Sequence, residues 1–185
     1  MDLREYHKKR DFTKTPEPKG DATPYVTSQR FVFQRHQARR LHYDLRLEIG
    51  GTLKSWAIPK GPSMNPSDKR LAVRTEDHPI SYLRFHGTIP DGNYGAGEMI
   101  IWDSGTYDID RSELDLPVEE QLTSGNLKLL FHGNHIRGKF ALVRTGLSKG
   151  KEQWLLIKKK DDVSTDFFYS AENMVERVGG RLKKF

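Results

Sequence analysis

From His42 to Ile49 the side chains alternate without a break. Tyr43, Leu45, Leu47 and Ile49 are apolar, while His42, Asp44, Arg46 and Glu48 are ionisable. A helix would scatter the two sets around its circumference. A β-strand puts them on opposite faces. The run therefore predicts a strand with one face on a core and the other lined by titratable groups. Gly50-Gly51 supplies a tight turn, and Thr52 to Ile58 returns as the partner strand.

Short apolar runs between turn residues continue this pattern. Regular structure is expected from Phe31-Val32-Phe33. Further strands are expected at Leu71 to Thr75, Ser81 to Phe85, Glu98 to Trp102, Asn126 to His132, Gly138 to Arg144 and Glu152 to Lys158. Leu114 to Ser124 reads as a helix stopped by Gly125. The chain is thus mainly β, an antiparallel barrel or sandwich with a few short peripheral helices. Residues 1–29, with Pro16, Pro18, Gly20 and Pro24, read as an N-terminal arm with a short helix before Arg10. Residues 30–162 form the β domain. Residues 163–185 form a tail, with a short helix around Ala171 to Val178. Trp56, Trp102 and Trp154 are assigned to the core.

Composition removes several chemistries. The 185 residues include no cysteine, which excludes disulfides, thiolate metal sites and a cysteine nucleophile. No apolar stretch is long enough to cross a bilayer, and Met1 to Arg10 lacks the apolar core of a signal peptide. A cytoplasmic location is expected. Lys plus Arg total 31 against 25 Asp plus Glu, a net charge of +6. That excess fits a polyanionic partner and ordinary solubility equally well. Its placement is more telling, because Arg35, Arg39, Arg40 and Arg46 surround the ionisable strand face.

His36 precedes His42 by six residues, and Asp44 follows two further on. His42 and Asp44 emerge on one face, roughly 7 Å apart along the strand. Two imidazoles and a carboxylate suit Mn²⁺, Zn²⁺ or Fe²⁺ better than Ca²⁺ or Mg²⁺. Three protein ligands leave positions open for water and substrate. The plain alternative is a solvated polar sheet face, which must then explain His, Asp, Arg and Glu in register beside a second histidine. Arg46 next to a dication makes sense when an anion lies between them, and phosphate is the natural bridge. Taken singly, Lys60 in its Pro-Gly turn, Arg70 at a strand start and His78 in Glu76-Asp77-His78-Pro79 read as solvated loop residues. The glycine-rich stretch His86 to Gly97 reads as a turn-rich connection.

The string Phe31 to Glu48, FVFQRHQARRLHYDLRLE, strongly resembles the signature of the 3′-phosphoesterase domain of bacterial DNA ligase D. Arg10-Asp11-Phe12 with Thr15-Pro16-Glu17-Pro18 resembles the family's N-terminal arm. Leu53 to Ala57, Pro59 to Pro62, Glu76 to Pro79, Tyr94 to Gly97, Ile101 to Tyr107 and Gly138 to Leu142 match as well, so the resemblance runs from about Leu3 to Asp161. It implies a compact β-barrel whose arm contributes to the site. It implies a metal-dependent hydrolase, a 3′-phosphodiesterase and phosphomonoesterase that heals primer ends blocked by a ribonucleoside or a phosphate. By matching positions, His36, His42 and Asp44 would bind the metal, typically Mn²⁺, or another divalent transition metal such as Zn²⁺ or Co²⁺. His78 and Arg46 would hold phosphate and, with His42 and Asp44, carry catalysis. Arg10, Lys60, Arg70, Ser55 and Tyr82 would contact substrate, with Asp11, Glu17 and Glu76 in support.

The family domain is commonly fused to a ligase and a polymerase. The length here leaves room for neither, so the chain resembles stand-alone members with a separately encoded ligase or polymerase as partner. Two other classes compete. A non-catalytic nucleic-acid-binding barrel would bind without metal, and an oxygenase with two histidines and a carboxylate would consume oxygen with Fe²⁺.

Overall fold

The computed structural model describes residues 3–20, 28–175, 177–178 and 181–182. The rest of the expected arm and tail lies outside the described residues.

The hairpin read from the alternation anchors the barrel. Strand β1 (Arg30–Gln37) pairs antiparallel with β2 (Leu41–Ile49), and β2 with β3 (Thr52–Ile58). Gly50 and Gly51 both take positive φ, at 61° and 76°, and Ile49 pairs Thr52 across them. That is the turn whose twist matches flanking strands, and it strongly favours glycine. Next come β4 (Lys69–Arg74), β5 (Gly87–Ile89), β6 (Gly97–Ile109), β7 (Asn126–His132), β8 (Arg137–Ser148) and β9 (Lys151–Lys158). The sheet order is β1-β2-β3-β4-β9-β8-β7-β6, and β6 pairs back onto β1, closing an eight-stranded antiparallel barrel. β5 lies outside the closure, paired to β6. A two-stranded ribbon of β10 (Arg177–Val178) and β11 (Arg181–Leu182) follows in the tail.

Inward-facing residues fill the barrel. Phe31, Phe33, Leu45, Leu47, Trp56, Phe131, Phe140 and Trp154 form its packed centre. All three tryptophans are buried there, as their strand positions required. A smaller apolar cluster sits outside the barrel, where Tyr6, Leu53, Tyr82, Phe85, Ile89 and Met99 pack with Leu3 and Phe12. Helix α1 (Arg4–Lys8) and the segment Ile80–Arg84 form part of this outer layer. It covers the outer face of β1 to β3, so β2 is buried on both faces from Tyr43 to Ile49, with His42 half-buried at its start.

Three local expectations change. Ser81 to Phe85 is not a strand: Ile80–Arg84 is a 3₁₀ turn. Pro79 fixes its entry, and the Tyr82 N–H donates to the Pro79 carbonyl at 2.9 Å. The expected helix from Leu114 shortens to α2 (Val118–Ser124), entered through Pro117 and ended by Gly125. Among the described residues of the expected tail helix, Ala171–Met174 is a 3₁₀ turn and Arg177–Val178 is strand. Among the described residues no helix is long and apolar enough to cross a membrane.

Candidate active site

The β1–β2 hairpin assembles the site by register. His36 lies directly opposite His42, and Gln34 opposite Asp44. Residues that face each other across two strands share a face with Cβ atoms about 5 Å apart. The two imidazole centroids are 4.7 Å apart. One potential ligand atom each from His36, His42 and Asp44 lies within 4.8 Å of the others.

Backbone carbonyls orient both rings. His36 Nε2 donates to the Gly95 carbonyl at 2.8 Å, and His42 Nδ1 donates to the Arg40 carbonyl at 3.0 Å. A carbonyl only accepts, so each bonded nitrogen carries the proton and the other keeps its lone pair. Those lone pairs face the Asp44 carboxylate, His36 Nδ1 at 3.7 Å from Oδ2 and His42 Nε2 at 3.5 Å from Oδ1. Burial raises the Asp44 carboxyl, but the Arg46 guanidinium and, when they are protonated, the two facing imidazoles outweigh it and hold it well below the usual carboxylate range. Burial lowers the His42 imidazole, and the neighbouring Asp44 carboxylate more than restores it. Two lone pairs and an ionised carboxylate converging on one point, with carbonyls holding the rings, is a donor set suited to a divalent cation.

Gly97 permits the hairpin end and β6 to meet. Its φ is +140°, and a Cβ there would lie 2.3 Å from the Gln37 carbonyl oxygen. Two residues earlier, Gly95 presents the carbonyl that holds His36.

Arg46 lies deeper on the same face. Its Nε donates to Gln34 Oε1 at 2.6 Å, Nη1 to Ser55 Oγ at 3.1 Å and Nη2 to Asp44 Oδ2 at 3.1 Å. Three of its five N–H groups are used, leaving two for an anion. The guanidinium lies over the Tyr82 ring, 4.5 Å from its centroid. His78 enters from the loop after β4. Its Nδ1 donates to the Glu76 carbonyl at 2.9 Å, so Nε2 offers a lone pair to Arg10 Nη2 at 3.3 Å. Burial, then the Arg46 and Arg10 charges, push this imidazole well below its usual range and keep it neutral.

The arm supplies Arg10. It bonds Glu17 Oε1 through Nε at 2.7 Å and Glu76 Oε1 through Nη1 at 3.0 Å. Glu17 also accepts from the Tyr82 hydroxyl at 2.8 Å. A cavity of about 210 Å³ joins Arg10, Glu17, His36, His42, Asp44, Arg46, Glu76, His78 and Tyr82. Its fixed charges are Arg10, Arg46 and Lys151 against Glu17, Asp44 and Glu76. These balance, so a bound dication would leave the cavity doubly positive, matched to a phosphomonoester dianion.

Five residues from the sequence reading lie outside the cavity wall. Ser55 is buried behind the cavity, joining Arg46 to His78. Asp11 is exposed and caps the arm's own turn through Thr13 and Lys14. Lys60 and Arg70 line a separate cleft beside the tail. Glu48, last of the ionisable row, is held by Arg30 at 2.6 and 3.0 Å, away from the cavity. Sequence reasoning gave no role to Gln34, to Gly95 or to Tyr94, whose ring lines the cavity 5.7 Å from the Arg10 guanidinium. Gln34 had a visible signal, because a hairpin centred on Arg39 places it opposite Asp44.

The sequence profile of the DNA ligase D 3′-phosphoesterase domain matches residues 34–144. A multifunctional non-homologous end joining protein LigD of Pseudomonas aeruginosa is 49% identical over 86% of this chain. One from Mycolicibacterium smegmatis is 48% identical over 86% of it. The Mycobacterium tuberculosis end joining DNA repair protein LigD is 44% identical over 90%. The chain spans only 19% to 21% of the length of these relatives. These matches cover the hairpin and the strands that build the cavity, and the chain belongs to the DNA ligase D 3′-phosphoesterase domain family.

Proposed function

We propose that this protein is a metal-dependent phosphoesterase that heals blocked 3′ ends of nucleic acid during end joining, alongside ligase and polymerase activities. The observation that carries the reading is the convergence of His36 Nδ1, His42 Nε2 and an Asp44 oxygen beside a buried arginine with N–H groups to spare. His36, His42 and Asp44 would hold a divalent transition metal, with Mn²⁺ the favoured ion. The ion would supply Lewis-acid polarisation of the phosphate and an acidified water.

The chain's own groups do the rest. Arg46 orients the phosphate and neutralises charge that develops on its equatorial oxygens. Glu17 and Glu76 fix Arg10 at the cavity wall, and Arg10 adds a second positive edge. His78, neutral with an Nε2 lone pair toward Arg10, serves as an acceptor in the resting site. An arriving phosphate dianion favours its protonation, which equips it to protonate a leaving oxygen. Tyr82 supports the wall beneath Arg46.

The test uses Mn²⁺ and primer-templates ending in a ribonucleotide or a 3′-phosphate, with products resolved on a sequencing gel. Stepwise loss of the ribonucleoside and then the phosphate is expected. His42→Ala should abolish both steps. Wild-type turnover in that variant would remove the assigned metal site.

A further inference from the structure

The segment after β9 packs against the barrel core and holds two aromatic rings in solvent. Tyr169 and Ala171 are buried in the barrel core. Arg35 grips Glu172 through Nε at 2.7 Å and Nη2 at 3.0 Å, and the Tyr43 hydroxyl donates to the same carboxylate at 2.5 Å. Just before this anchor, Phe167 is 83% exposed and Phe168 87%. Their backbone is tied down. The Thr165 N–H donates to the Met64 carbonyl at 3.0 Å, Asn65 Nδ2 to the Phe167 carbonyl at 3.1 Å, and Arg70 Nη2 to the Tyr169 carbonyl at 3.1 Å. A fixed loop that displays adjacent phenylalanines forgoes their burial, which marks a surface built for a partner.

The neighbouring chemistry selects that partner. Phe168 lines a cleft of about 270 Å³ with Lys60, Arg70 and Leu41. Lys60 is exposed and has no hydrogen bond or ion pair among the described residues. The cleft's carboxylate, Glu172, is already engaged by Arg35 and Tyr43. Arg70 is paired with Asp68 at 2.8 Å, which leaves Lys60 as the cleft's unpaired cation among the described residues. A flat aromatic face beside an unpaired lysine complements a nucleotide strand, with a base on the ring and a phosphate on the ammonium.

Position ties this cleft to the catalytic cavity. Leu41 lines the cleft, and the adjacent His42 lines the cavity on the opposite face of β2. The turn joining β1 to β2 carries exposed Arg39 and Arg40. A strand leaving the cavity over this basic turn reaches the cleft after crossing one sheet, roughly 10 Å.

We propose that Phe167 and Phe168 form a base-stacking platform for unpaired nucleotides flanking the processed 3′ end, with Lys60 holding their phosphates. The assignment of the flanked end rests on the function proposed above. The first measurement is anisotropy of a fluorescein-labelled oligothymidylate, without metal, so it does not depend on catalysis. Phe168→Ala should weaken binding about tenfold and Phe168→Trp should retain it. Unchanged binding in Phe167→Ala, Phe168→Ala and the double variant would overturn the platform. The second measurement is KM with Mn²⁺ on 3′-phosphate substrates with and without an unpaired flank. Phe168→Ala should raise KM more on the flanked substrate, and an equal rise on both would overturn the placement. If Phe168→Ala instead dissolves a wild-type dimer on gel filtration while oligothymidylate binding persists, the patch is a protein interface and the proposal falls. Phe168-dependent binding with no product from any substrate would leave the platform standing and remove the phosphoesterase reading.

Discussion

The two faces of β2 are both largely hidden from water and are held there by opposite means. Inside the barrel, Tyr43, Leu45, Leu47 and Ile49 are at most 2% exposed and touch other apolar residues. Outside it, Asp44 is 7% and Arg46 2% exposed, yet each is surrounded by hydrogen-bond partners. Apolar burial yields about 25 cal/mol per Å² and tolerates swaps that conserve volume. Polar burial costs free energy unless every partner is present. A buried ion network is often no more stable than well-packed apolar residues of similar size. The outer face therefore spends stability to hold charges at fixed distances, as a reacting phosphate requires.

The comparison breaks most sharply at Asp44. Asp44→Ala removes a ligand and leaves Arg46 short of its counter-charge. Turnover should fall by about 10³-fold or more in a single-turnover assay with Mn²⁺. The rise in Tm that Mn²⁺ gives the wild type should vanish as well. One residue along, Leu45→Ala empties a fully buried core position. Its cost should be about 2–5 kcal/mol in urea denaturation, with turnover per folded molecule near the wild-type value. If Leu45→Ala lost activity in the folded state, or Asp44→Ala kept it, the division of labour between the faces would fail.

Gly97→Ala probes how the outer face is aimed. Its Cβ would press on the Gln37 carbonyl oxygen at 2.3 Å, so β6 must move and carry the Gly95 carbonyl with it. Mn²⁺ affinity should drop about tenfold by calorimetry, the size typical of losing a group that orients a ligand. An unchanged affinity would show that His36 needs no such support.

The inner face was legible from alternation alone, and with it the hairpin, the turn at Gly50-Gly51 and the core tryptophans. The His36, His42 and Asp44 cluster was legible too, because register in a hairpin follows from chain position. What alternation could not show was the cover. The outer cluster joins Tyr6 and Phe12 to Tyr82, contacts between residues far apart in the chain that no local period encodes. Ser81 to Phe85 has the composition of a strand, but Pro79 and the burial of Tyr82 against Gln34 and Glu17 turn it into 3₁₀. Lys60 and Arg70, implied by resemblance to touch substrate, lie in the tail cleft because β2 separates them from the cavity.

The smallest effect sharpens the contrast through pH. Burial, Arg46 and Arg10 depress the His78 imidazole, so the folded protein leaves it neutral well below its ordinary value of 6.5. The unfolded chain binds a proton there as pH falls through 6.5, and the folded chain does not. Stability therefore rises with pH in the window below 6.5, is fully present above it, and is lost on acidification. Apolar inner-face residues contribute nothing to this slope. Urea denaturation of the metal-free protein from pH 5 to 7.5 should show the slope in wild type, and His78→Asn should flatten it. Inorganic phosphate should also flatten it, since an anion between Arg10 and Arg46 cancels the charges that keep the ring neutral. A slope unaltered by His78→Asn would mean the acid sensitivity arises elsewhere. A slope flattened by the substitution but untouched by phosphate would place the anion away from His78 and return the leaving-group proton to bound water.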